Sequence, residues 1–300
     1  MYNRQTDKLQ IPVEVSRHVV TNGLEKSFAI YLYLKFHSSG KIHIDSPAFQ
    51  SIKKDLGINT NRTYQKHFQK LLDLNWINLS ETSGLYYIRG FDRIRLENQC
   101  KSRQATTLYY KNLKKLKAFL VGTILGAAVN GQKYFWEVVI KRKLRPVANK
   151  RDATSPARAY ADSPKPEYYG LSLPEIAGLL GCKKKRASQL RQLAAKSGFI
   201  KTCHRFMELA RLAKADHNIR EHLYELYPQY KNKIRFTQVV PKGKRKTQAE
   251  ATIVVAVQLH DEIIPKLQFK FISKFNNLVV APQIKKAVSN RINEAAKIAA

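Results

Sequence analysis

The chain has 300 residues, enough for two ordinary domains, and a 44% hydrophobic fraction that can give each a core. Charge is the outlier: 54 Lys and Arg against 22 Asp and Glu leave a net +32, so a compact state repels itself until a polyanion neutralises it. So few acids argue against a two-metal nuclease, and the three cysteines, Cys100, Cys182 and Cys203, form no CxxC pair, which excludes a disulfide framework or zinc knuckle as the organising device.

With no such pair among the cysteines, a reducing cytoplasm, at the nucleoid, is the expected location, and Met1 to Gln10 is polar and lacks the apolar core of a signal peptide. Ile11 to Val15 reads as a short edge strand, and Leu24 to Phe36 as a helix with Phe28, Tyr31 and Leu32 inward. Lys41 to Ile44 alternates like a strand. Ser46-Pro47 then offers a cap and a first-turn proline to a helix with Phe49, Ile52 and Leu56 at core spacing, ended by Gly57. Asn59 or Thr60 caps a third helix that runs to about Leu74, with Tyr64, Phe68, Leu71 and Leu72 inward. Arg62, Lys66 and Gln69 are left outward, with Thr63 and Gln65 on the flanks near the helix start, as candidate DNA contacts. Trp76 to Leu79, the turn Glu81 to Gly84 and Leu85 to Arg89 read as two strands around a glycine-bearing loop.

Lys111 to Val129 and Gln132 to Lys143 read as helices, one or both packing beneath the segment that follows. Ala118 to Val129 is the longest apolar run and is shorter than the roughly 20 residues of a membrane span, so no membrane partner is expected. Arg145 to Gly170 is rich in Pro, Ala, Ser and charge without periodicity, as a flexible basic linker would be.

Leu171 to Thr202 is the most informative stretch. Ser172 and Glu175 stand in capping-box spacing, Ile176, Ala177, Leu179 and Leu180 give the helix an apolar side, and Gly181 ends it. A second helix, about Lys184 to Lys196, places Ala187, Leu190 and Ala194 on one side with Leu193 beside them. Lys184, Lys185, Ser188, Gln189, Gln192 and Lys196 fall on the other, mixing phosphate-seeking cations with side chains able to bond base edges. Ser197-Gly198 stops it and Phe199-Ile200 opens a strand. The pattern Ser-Leu-Pro-Glu-Ile-Ala, Leu-Gly, Ala-Ser, Leu, Leu-Ala, Gly-Phe-Ile resembles the winged helix-turn-helix superfamily. Phe49 to Ile77 repeats the plan: Ile52 to Gly57 and Ile176 to Gly181 are each five steps, and each glycine follows a leucine.

Beyond Ile200 a helical stretch is expected over Phe206 to Leu226, and Ile234 to Val240 should pair with Thr252 to Leu259. Their connection holds Lys242, Lys244, Arg245 and Lys246, either a basic tip that reaches a backbone or minor groove or a solubilising loop that guards a sheet edge. Leu267 to Ile272 adds a strand, and Gln283 to Ala300 an amphipathic helix.

Catalysis has little support. Gly243 to Thr247 lacks the spacing of a phosphate-cradling loop, and His217-Asn-Ile-Arg220 has no tyrosine after Tyr230 to act as a recombinase nucleophile. No cofactor, metal site or catalytic residue is expected. The fold class read from the sequence is α+β, mainly helical, with two winged helix-turn-helix units, a C-terminal β-hairpin and a terminal helix. The domains would be residues 1–100, connecting helices over 101–144, a linker over 145–170 and a second module over 171–300. Such a tandem is similar to the theta-type plasmid replication initiators, and the resemblance implies a sequence-specific binder of double-stranded DNA. A homodimer and the replication or transcription machinery are the further partners this reading allows. Transcriptional regulation, an accessory role in recombination, and charge-driven packaging of RNA or DNA stand beside it.

Overall fold

Proline at position 12 has no amide proton to give a ladder and sits at φ −62°, so strand β1 (Lys8–Pro12) stops there and a helix, α1 (Val13–Thr21), follows at once. The Ser16 hydroxyl donates to the Pro12 carbonyl, and Val15, Val19 and Val20 bury at helical spacing. The strand expected over Ile11 to Val15 is therefore displaced toward the N-terminus. This computed structural model describes residues 6–80, 83–100, 102–140, 169–212, 217–226, 228, 234–239, 252–258 and 261–272. Over them the chain is α+β, with small antiparallel sheets. It divides into two units.

The first unit takes the described residues within 1–131, 173–200 and 265–300. Helix α2 (Glu25–His37) is its central post: Phe28, Ile30, Tyr31, Leu32, Tyr33, Leu34 and Phe36 are all fully buried. Neighbours on every side explain why the expected inward set of Phe28, Tyr31 and Leu32 was too narrow. Strand β2 (Lys41–His43), helix α3 (Pro47–Leu56) and helix α4 (Asn61–Asp73) follow, then β3 (Ile77–Leu79) and β4 (Leu85–Ile88). The sheet order is β2-β4-β3, with Ile42 opposite Tyr86 and Ile77 opposite Ile88. Buried Trp76 meets Phe28 and Tyr31 edge-on at 5.8 and 5.6 Å, and the Tyr31 hydroxyl donates to the Arg89 carbonyl at 2.6 Å.

Helix α5 (Phe91–Glu97) leads to strand β5 (Gln104–Tyr109), a 3₁₀ turn (Tyr110–Lys115), helix α6 (Leu116–Tyr134) and a π turn (Phe135–Ile140). The helix read from Lys111 thus begins five residues later. Strand β5 pairs antiparallel with β1, and its Thr106 hydroxyl hydrogen-bonds Thr123 of α6 at 2.9 Å. Helices α7 (Leu173–Leu180) and α8 (Lys184–Lys196) begin and end where the sequence places them, and α7 packs on α1. Ala187, Leu190 and Ala194 are buried, but Leu193 is 40% exposed, so the apolar side of α8 is narrower than expected.

The second unit takes the described residues within 132–172 and 201–264. Strand β6 (Ile200–Cys203), whose first residue closes the first unit, pairs with β10 (Glu262–Pro265). Strands β7 (Phe206–Leu212), β8 (Ile234–Val239) and β9 (Thr252–Gln258) form a sheet of order β7-β9-β8, and α9 (His217–Leu226) lies between β7 and β8 in sequence. The expected hairpin is present as β8 and β9. The stretch read as helical from Phe206 begins instead as a strand because it pairs with Thr252–Gln258, a partner distant in sequence that no local pattern announces. The chain returns to the first unit with β11 (Phe269–Phe271), the third strand of the β1-β5-β11 sheet. The segments read as a linker over 145–168 and as a terminal helix over 283–300 lie outside the described residues. Among the described residues, no helix is long and apolar enough to cross a membrane.

Two glycines let α6 accept its neighbours. A Cβ on Gly122 would lie 2.7 Å from Phe199 Cβ, and one on Gly126 would lie 2.8 Å from Phe269 Cζ. Replacing Gly122 by Ala is expected to cost about 1–3 kcal/mol through overpacking. Gly131→Ala on the same helix meets nothing and should leave stability unchanged or raise it by up to about 1 kcal/mol, read by thermal unfolding.

Candidate nucleic-acid interface

The two helix pairs of the first unit share a construction that begins in the backbone. Helix α3 ends at Gly57 with φ +66°, and α7 at Gly181 with φ +61°. The Gly57 and Ile58 amides donate to the Lys54 and Lys53 carbonyls at 3.3 and 2.8 Å. In the second pair, Gly181 and Cys182 donate to Gly178 and Ala177 at 3.4 and 3.0 Å. This paired closure needs a left-handed residue, which glycine supplies without a Cβ penalty. The likeness continues to the far end of each second helix, both of 13 residues. Asn75, with φ +57°, and Trp76 donate to Leu72 and Leu71; Gly198, with φ +80°, and Phe199 donate to Ala195 and Ala194. Trp76 and Ile77 in one copy, Phe199 and Ile200 in the other, are buried immediately afterwards.

The copies differ at the entry to the second helix. Thr60 caps α4, its Oγ1 accepting from the Thr63 amide at 3.2 Å, whereas Lys183 stands at the N-cap of α8 and makes no such bond. Lys183, Lys184, Lys185 and Arg186 then follow in succession, all exposed. Cations at a helix N-terminus oppose the macrodipole at about 0.3–1 kcal/mol each, so this end of α8 is built against its own electrostatics. No acid lies anywhere on α8, and α4 carries one, Asp73, at its far end.

Of the residues singled out from the sequence, Arg62, Gln65, Lys66 and Gln69 on α4 are exposed and Thr63 is half-buried. On α8, Lys184, Lys185, Gln189 and Gln192 are exposed and Ser188 is half-buried. On each helix the exposed members of the set share one outward side, and Thr63 lies on the flank of α4. The Gln69 amide donates to Asp73 at 2.9 Å, and Arg186 donates to the Gln189 side-chain oxygen at 3.2 Å. Lys242, Lys244, Arg245 and Lys246 lie outside the described residues. Sequence reasoning passed over Lys183 and Arg186, although the unbroken cationic run was the signal. It also passed over Lys41, whose ammonium sits 5.2 Å from the centroid of the exposed Tyr87 ring on the neighbouring strand.

Other groups with chemical potential sit elsewhere. Burial pushes the Cys100 thiol up to about 11, and Cys182 and Cys203 are half-buried free thiols. His204 Nδ1 lies 2.7 Å from the buried Asp261 carboxylate in the second unit, beside an Arg205–Glu262 pair. Among the described residues, no group of three His, Cys, Asp or Glu could hold a metal ion. Comparison with protein-family models, curated proteins and solved structures found no match.

Removing the Thr60 cap with Thr60→Ala should cost about 1 kcal/mol, while Lys183→Ser should stabilise the protein by a similar amount, both read by thermal unfolding. Burial holds His18 below the ordinary histidine range; burial, with Lys26 and Lys66, does the same for His67. The folded state therefore favours the neutral rings, and the unfolded state binds more protons below about pH 6.5. Their contribution is full above that pH and is lost on acidification through the lower folded values. The melting temperature should fall as pH drops from 7 toward 5.5, and fall less in the His18→Gln/His67→Gln variant.

Proposed function

We propose that this chain is a sequence-specific binder of double-stranded DNA, with α2 to β4 forming one winged helix-turn-helix module and α7, α8 and the strand after them serving as the core of a second. The observation that carries the reading is the N-terminal end of α8. Four successive cations on the positive pole of an uncapped helix, with no acid along its length, are unfavourable in the free protein and favourable against phosphates. A net charge of +32 supplies the same attraction over the whole chain.

In this reading α4 and α8 each enter a major groove. Lys185, Gln189 and Gln192 on α8, with Arg62, Gln65 and Lys66 on α4, reach base edges, while Lys183, Lys184 and Arg186 contact phosphates. Arg186 also holds the Gln189 amide by its hydrogen bond, which sets which atoms that amide presents. Lys41 and Tyr87 extend the first module's contact to the backbone beside the groove. Two such modules in one chain suit neighbouring repeats, as at the origin of a plasmid or mobile element, and the proposed role is replication initiation.

Competition binding tests this. Selection from the source's own DNA supplies the target duplex. Lys185→Ala and Gln189→Ala should each weaken target binding by about 1–3 kcal/mol and relax discrimination against random duplex. Lys184→Ala should weaken all sequences alike and reduce the salt slope by about one. If discrimination is unchanged in the first two variants, or if the wild-type chain shows no preference for any duplex, specific recognition by α8 is excluded.

A further inference from the structure

One concave surface in the first unit is left unused by the proposed DNA face. It is a cleft of about 700 Å³, walled by the start of α2, the turn from α3 to α4, one flank of α4 and the entry to α6. That volume is within the range of small-molecule sites and far larger than an inorganic anion needs. Its walls divide by chemistry. Ala29, Leu56, Ile58, Leu113 and Leu116 supply apolar surface. Lys26, Lys114 and Lys117 supply charge, against one carboxylate, Glu25. Glu25 is already engaged by Lys117 at 2.6 Å, so its charge is spent. Lys26 and Lys114 are exposed and form no ion pair among the described residues.

The α4 wall adds a polar group. His67 lines the cleft from α4, and its Nδ1 lies 3.1 Å from the buried Ser27 hydroxyl of α2, a contact that holds the ring and does not use Nε2. Thr63, one turn earlier on the same flank, accepts a hydrogen bond from the Thr60 hydroxyl at 2.8 Å. With about 100° per residue, Thr63 and His67 sit roughly a third of a turn from Arg62, so the cleft borders the outward side of α4 without including it.

We propose that this cleft binds a small organic phosphate of mononucleotide size, with Lys26 and Lys114 on the phosphate, His67 on a polar group of the ligand and the leucines and isoleucine against its apolar body. The site does not depend on the DNA reading for its existence. Its consequence for α4, whose flank forms one wall, does rest on that reading: a ligand wedged there links α4 to α2 and α6.

Titration calorimetry on the full chain with AMP as the probe, and with adenosine and inorganic phosphate as the two halves, tests the proposal. Saturable binding of AMP at one site is expected, with each half at least about tenfold weaker, because the phosphate and the apolar body are held by different walls. Lys26→Ala/Lys114→Ala, both exposed positions, should weaken AMP by about tenfold or more, and Lys184→Ala/Lys185→Ala should leave it unchanged. His67 and Thr63 amide resonances should shift on titration. No saturable binding, equal binding of adenosine, or equal loss in both double variants would overturn the site. So would a Lys26→Ala/Lys114→Ala protein that loses duplex affinity but keeps AMP, since the cleft lysines would then be DNA contacts. A failure of duplex recognition with AMP binding intact would instead count against the DNA reading alone.

Discussion

Helix α2 is the constraint on which the first unit rests. Beyond its first turn α2 is buried around most of its circumference, which leaves little amphipathic pattern to set its rotation, and polar atoms help to set it. Tyr31 and Tyr33 do this: one hydroxyl donates to the Arg89 carbonyl, the other to Asp55, each at 2.6 Å. Both phenols are held well above the ordinary tyrosine range, by burial first and, for Tyr33, by the Asp55 hydrogen bond next. They remain neutral donors, and each ties α2 to a different part of the module, the end of β4 and the helix α3. The position of α4 is inherited from that post.

The second helix pair reaches a comparable geometry without such a post of its own. It borrows its support: α1 receives α7, with Thr21 close to Gly181, and α6 receives Phe199 over Gly122, with Phe119 edge-on at 5.6 Å. The same backbone closure at Gly57 and Gly181 is thus held in place by different surroundings. This separates what defines the repeat, a left-handed residue with its pair of amide bonds, from what merely stabilises each copy.

That difference explains what could be read from the sequence. Gly57, Gly181, the Ser46-Pro47 start and the limits of α8 depend on chemistry within a few residues, and all were legible. The outward positions of Arg62, Lys66, Lys185 and Gln189 followed from helical rotation alone. Contacts made at long range were not legible: β7 is a strand because of β9, and β1 and β5 become a sheet only with each other and β11. Leu193 was misplaced because small Ala187 and Ala194 let α8 pack closely over a narrow strip, leaving the leucine beside it in water. Arg186 stands on the flank of α8, and helical rotation, which marks only the outermost positions, carries no sign of its hydrogen bond to Gln189.

The β1-β5-β11 sheet takes strands from residues 8–12, 104–109 and 269–271, and Phe269 of the last one fills the space over Gly126. During synthesis from the N-terminus, the groove on α6 and the open edge of β5 stand uncovered until residue 271 has left the ribosome. At about 5–20 residues per second that interval lasts many seconds, during which an unpaired edge can recruit strands from other chains. The early part of the nascent chain therefore waits on its late part, and a translational pause between α6 and β11 would lengthen its exposure to chaperones and to aggregation alike.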